Sequence, residues 1–181
     1  TAWTQDKYPQ AAVSLWNGER YAHSKIRLAY LSADFNRHAT AYLMAELFEM
    51  HSRDQFELTA YSFGPATPSP MRTRLENAFD HFIDVTNMDD LQVAQLMREH
   101  EIDIAVDLKG FTSSGRTGIF AHRAAPVQVN YLGYPGTMGA PYMDYILGDS
   151  TVTPPEHDAF YSEKVVRLPN SYQVNDRKRA I

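Results

Sequence analysis

The chain has no cysteine, which excludes disulfides, cysteine-ligated zinc and thiol nucleophiles. No apolar run approaches the roughly 20 residues of a membrane-spanning helix. There is no large charge excess either. The formal net charge is -5 over 181 residues, and a mildly acidic chain is not built to wrap nucleic acid. Several catalytic signatures are also missing: His-Glu-x-x-His for zinc, Gly-x-Ser-x-Gly for a serine hydrolase, and Gly-x-Gly-x-x-Gly after the first strand for a dinucleotide. No Asp-x-Asp pair is present to hold a metal against a sugar-nucleotide diphosphate. The opening "TAWTQDKYPQ" has neither the basic nor the apolar region of a signal peptide and no initiator methionine. It reads as cut from something longer. Neither a membrane nor a nucleic acid is expected as partner, and the expected setting is cytoplasmic.

What the chain does contain suits a packed core: 44% hydrophobic and 12% aromatic residues. Residues 1–24 are polar with scattered aromatics, Trp3, Tyr8, Trp16 and Tyr21. They read as a partly helical connector whose aromatics dock on something. "KIRLAYLS", "FELTAYSF", "HFIDV", "IDIAVDL", "VQVNYL", "DYILG" and "KVVRL" read as strands. "ATAYLMAELFEMH", "MRTRLENAF", "NMDDLQVAQLMREHE" and the segment near Thr117 read as helices. In the third, Asn87 is the expected cap, and Leu91, Ala94 and Met97 space its faces. Strands alternating with helices imply a Rossmann-like, parallel, three-layer α/β sandwich over 25–169. Residues 170–181, polar and basic at the end, read as a linker.

Ligands of such sheets bind beyond the carboxyl ends of the strands. Three loops qualify: 33–39, 109–115 and 132–139. The last, "LGYPGTMG", concentrates glycine and proline, which permit close approach of backbone N–H groups to a diphosphate or sugar. A tight turn between strands is the competing reading. The first holds Asp34, Asn36, Arg37 and His38 before a helix start. A neutral imidazole there can serve as general base, although position alone favours a capping or solvated residue. His81, opening "HFIDV", either lines a cleft or satisfies a backbone carbonyl. His51, His100, His122 and His157 show no ligand spacing and are assigned to surfaces.

The ordered set "IRLAYLSADFNRHATAYLM", "HFIDV", "IDIAVDLKGFT", "AAPVQVNYLGYPGTMGAPYMDYILGD" and "YSEKVVRLPNSYQVNDR" resembles the catalytic region of O-linked N-acetylglucosamine transferases of a bacterial type. The resemblance runs from about Lys25 to Arg177. It implies the N-terminal lobe of a two-lobed GT-B glycosyltransferase, preceded by tetratricopeptide repeats and followed by a C-terminal lobe that holds most of the nucleotide. It implies inverting transfer from UDP-N-acetylglucosamine to Ser or Thr hydroxyls of a protein or peptide acceptor, with neither metal nor other cofactor. Leu132, Gly133, Pro135, Gly136 and Thr137 are then donor-binding residues, and His38 and His81 the candidate bases lining the cleft, with His81 preferred as the contact to the reacting groups because Ala39 and Tyr42 alter the surroundings of His38. One departure is visible. Many relatives have proline after the first histidine and a second histidine four residues on, where this chain has Ala39 and Tyr42. A non-catalytic binding module and a transferase of another UDP-sugar are the alternatives. An isolated lobe is expected to be inactive.

Overall fold

A computed structural model describes residues 2–179 of the chain. Its centre is a seven-stranded sheet: β1 (Ile26–Ser32), β2 (Phe56–Ser62), β3 (His81–Asp84), β4 (Ile104–Asp107), β5 (Val127–Tyr131), β6 (Tyr145–Gly148) and β7 (Lys164–Arg167). Every pairing is parallel, and the spatial order is β3-β2-β1-β4-β5-β6-β7. Parallel strands are covered on both faces, so β1 and β2 each end in five consecutive buried residues rather than alternating.

The helices are α1 (Ala2–Lys7), α2 (Ala39–Met50), α3 (Pro70–Ala78), α4 (Asp90–Glu99) and α5 (Gly118–Ala121). Alternation along each strand divides the core in two. Leu28 and Tyr30 face Met44 and Phe48 of α2 and Leu75 of α3, whereas Ala29 and Leu31 share a cluster with Val93, Ala94 and Met97 of α4 and Phe120 of α5. The fold is therefore the expected Rossmann-like α/β sandwich.

Helix α4 differs in detail from the expectation. Its cap is Asp89, not Asn87: the Asp89 carboxylate accepts the Gln92 N–H while the Gln92 side chain accepts the Asp89 N–H. This reciprocal box satisfies two donors that helix geometry leaves free. Leu91 is exposed, and the buried stripe is Val93, Ala94 and Met97. Asp89→Ala is expected to lower stability by about 1 kcal/mol, read as a shifted urea midpoint with unchanged slope.

Both end segments pack on the sandwich. Thr4 of α1 is buried, and the N–H groups of Ala11, Leu15 and Trp16 donate to the carbonyls of Ala121, His122 and Arg123. Trp3 meets Phe111 edge-on at 5.0 Å, Tyr8 stacks on it at 6.0 Å, and Phe111 in turn meets Tyr134 at 5.5 Å. Residues 170–179, expected as a linker, lie across the α2 and α3 side. Tyr131 donates its hydroxyl to the Tyr172 carbonyl. Asp176 pairs with Arg74, Arg177 with Glu46 and Lys178 with Glu49. Residue 1 of the connector and residues 180 and 181 of the tail lie outside the described residues.

Candidate functional site

Because all strands are parallel, every loop that follows a strand leaves from one edge of the sheet. The chain moves outward in one direction through β2 and β3, then crosses back to β4 and continues the other way. The crevice between β1 and β4 is the topological switch point, where such sheets take ligands. The loops after β1, β4 and β5 touch one another here. Lys109 Nζ donates to Asp34 Oδ2 at 2.7 Å, joining the first two. Gly110, at φ +53°, lies against the Tyr134 side chain. A Cβ on Gly133 would fall 2.2 Å from the Leu108 carbonyl oxygen, so only glycine lets the third loop pass that close.

Asp107 ends β4 and shapes the turn after it. Its Oδ1 accepts the N–H groups of both Lys109 and Gly110, at 2.8 and 3.1 Å. The side chain is wholly buried, and Oδ2 has no partner among the described residues. Burial pushes its pKa up to about 6, against the pull of those two N–H groups and of Lys109. Asn130, its register neighbour on β5, donates from Nδ2 to the Tyr134 and Gly136 carbonyls. Sequence reasoning does not single out Asp107, Asn130 or Lys109 as parts of the site. Polar residues at the ends of otherwise apolar strands are the signal available.

The loop from Leu132 is held differently from the expectation. Its positive φ angles fall on Leu132 (+68°) and Gly139 (+58°), not on Gly133 or Gly136. Leu132 is buried in the α2 and α3 side of the core, so only its backbone is free to meet a ligand. The Thr137 hydroxyl is fully engaged within the protein. It donates to Glu163 Oε2 and accepts the N–H groups of Gly139 and Ser162. Among the described residues, the N–H groups of Tyr134, Gly136 and Thr137 meet no protein acceptor. Three such donors on one half-buried loop suit an anion.

His38 reaches this edge as the N-cap of α2. Its Nδ1 accepts the Thr40 N–H at 3.2 Å and lies 3.4 Å from Asp34 Oδ2. The two contacts require opposite tautomers. The cap needs a lone pair on Nδ1, whereas Asp34 needs a proton there, which would leave Nε2 as base. Arg72, buried beneath the same loop, donates to the Phe35 carbonyl and the Ser62 hydroxyl and stacks on Phe82 at 4.3 Å from the ring centre. No sequence signal marks it.

His81 is not brought to this edge, which corrects the expectation that both histidines line one cleft. It pairs in register with Thr59, three residues before Asp84 at the carboxyl end of β3. Those three residues span about 10 Å. Its ring turns toward the amino ends of the strands, with Nε2 at 3.2 Å from Glu57 Oε1. There it lines a recess of about 530 Å³ with Arg27, Glu57 and His100. This recess lies away from the switch point and the free N–H groups. Three histidines assigned to surfaces, His51, His100 and His122, are half-buried instead; His51 bonds the Tyr30 hydroxyl and His100 the Tyr61 hydroxyl. Among the described residues no group of three or more His, Asp or Glu side chains could hold a metal ion.

Comparison with known proteins places these features in context. The family model described as glycosyl transferase family 41 matches residues 10–181. A probable UDP-N-acetylglucosamine--peptide N-acetylglucosaminyltransferase SEC of Arabidopsis thaliana is 39% identical over 155 residues, covering 86% of this chain and 16% of the relative. The UDP-N-acetylglucosamine--peptide N-acetylglucosaminyltransferase of Caenorhabditis elegans is 32% identical over 169 residues, 93% of this chain and 14% of its own. A solved mutant of Thermobaculum terrenum O-GlcNAc transferase superposes with a TM-score of 0.80 at 35% identity, covering 83% of this chain and 29% of that one. The chain thus spans less than a third of each of these proteins.

Proposed function

Because the chain belongs to glycosyl transferase family 41, we propose that it is the N-terminal lobe of a GT-B enzyme that moves N-acetylglucosamine from UDP-N-acetylglucosamine to Ser or Thr hydroxyls of proteins. A C-terminal lobe and tetratricopeptide repeats complete the enzyme in this reading, which is of the bacterial type and cytoplasmic. The observation that carries it is the half-buried loop beside the switch point whose Tyr134, Gly136 and Thr137 N–H groups have no protein acceptor among the described residues. Such donors stabilise charge as it develops on a leaving diphosphate. In our reading no metal takes part.

The acceptor hydroxyl attacks the anomeric carbon on the face opposite the diphosphate. The carbon–oxygen bond to UDP breaks, the centre inverts, and the hydroxyl proton passes to a base. His38 is the base we assign, because it is the histidine at the carboxyl edge. In that role Nδ1–H donates to Asp34 Oδ2, which Lys109 holds in place, and Nε2 takes the proton. His81 is not assigned a part in the chemistry.

The test is mass spectrometry of a Ser/Thr peptide incubated with the full-length protein and a panel of UDP-sugars. A mass gain of one N-acetylhexosamine from UDP-N-acetylglucosamine is expected. Gain from another sugar alone would replace the donor. No gain from any would leave a binding or assembly module.

A further inference from the structure

Glu163 stands just before β7, at the far edge of the sheet from β1, and only 4% of it is exposed. Among the described residues its carboxylate has no Lys, Arg or His partner; its contacts are both to the loop after β5. Oε2 accepts the Thr137 hydroxyl at 2.7 Å and Oε1 accepts the Met138 N–H at 2.5 Å. Burying a carboxylate without a cation is a costly way to gain stability. The charge is spent on two donors at one end of one loop.

The other end is held by Asn130, whose Nδ2 donates to the Tyr134 and Gly136 carbonyls at 2.8 and 3.2 Å. A trans peptide points its N–H away from its C=O. Holding the Gly136 carbonyl inward therefore turns the Thr137 N–H outward, and Glu163 fixes the next peptide. We propose that Glu163 is a positioning residue that, against Asn130, holds loop 132–139 with its free Thr137 N–H facing the ligand side. The proposal rests on the reading that this loop meets the sugar-nucleotide, and it adds a residue outside the loop to that site.

The experiment uses the full-length protein with Glu163→Gln and, as a milder change, Thr137→Val. The glutamine keeps the shape but presents an NH₂ group where an acceptor is needed; the valine removes the hydroxyl from the other side of the same contact. Hydrogen exchange of the peptide spanning 132–139 should quicken in both variants while β1, β2 and β4 keep their protection. The KM for UDP-N-acetylglucosamine should rise about tenfold, the loss expected from one unpaired buried donor, with the KM for peptide unchanged. Exchange and donor KM at the unmutated values in both variants would overturn the proposal. Adding UDP-N-acetylglucosamine to the unmutated protein separates the two readings. Faster loop exchange in Glu163→Gln, without donor protection of that loop in the parent, upholds the hold by Glu163 and sinks the donor reading.

Discussion

His38→Ala in the full-length protein is expected to lower kcat about 10²- to 10⁴-fold, with the KM for UDP-N-acetylglucosamine nearly unchanged. A Ser or Thr hydroxyl is a poor nucleophile until its proton is taken, and general-base help is worth about that factor. The loss corresponds to about 2.7–5.5 kcal/mol in the barrier. The same histidine caps α2, so a fall in activity on its own is ambiguous. His38→Asn resolves it. Asparagine is a good N-cap and can accept the Thr40 N–H, but it cannot take a proton near neutral pH. Equal kcat in the Ala and Asn variants, both far below the parent, marks a base. Activity restored by Asn would show that capping is the whole role. His81→Ala, whose ring faces Glu57 below the edge, should leave kcat within about twofold, since it touches no reacting group.

The sheet was legible because strands buried on both faces write themselves as unbroken apolar runs. "IRLAYLS" and "VQVNYL" need no tertiary information to be found. The meeting of three loops then follows from parallel connectivity alone. Helix ends were harder: Asn87 and Asp89 both satisfy the cap preference, and only the Gln92 three residues past Asp89 separates them. The tail was opaque for another reason. Arg74 and Asp176 lie 102 residues apart, and no local pattern says that they pair. His81 was misplaced because a strand-opening residue in a four-residue edge strand sits well below the ligand edge. Thr137 lies in the loop proposed to meet the donor, but its hydroxyl is consumed by a glutamate 26 residues on.

Asp107→Asn is expected to stabilise the chain by about 3 kcal/mol at pH 8, with the gain vanishing below pH 4. The folded pKa of Asp107 is raised from 3.8 to about 6, chiefly because burial penalises its charge. Between those values the folded state binds more protons than the unfolded one, so the contribution of this group to stability falls as pH rises. It is fully present below about pH 4, is lost through pH 6, and stays lost above. A shift of about two units is worth about 3 kcal/mol, and the opposing pull of Lys109 and the two N–H groups is already contained in it. Asparagine keeps the Oδ1 acceptor for Lys109 and Gly110, so the turn after β4 should survive. Its amide also offers a donor on the side of Asn130 Oδ1, which has no partner among the described residues. Urea unfolding of parent and variant from pH 4 to 8 reads the result as the difference in ΔG. A difference that does not change with pH would show that Asp107 titrates in the fold as it does in the unfolded chain, and one that grows toward acid would show that the fold favours its charged form. A variant less stable at every pH would show instead that the charge itself holds the turn beside Lys109.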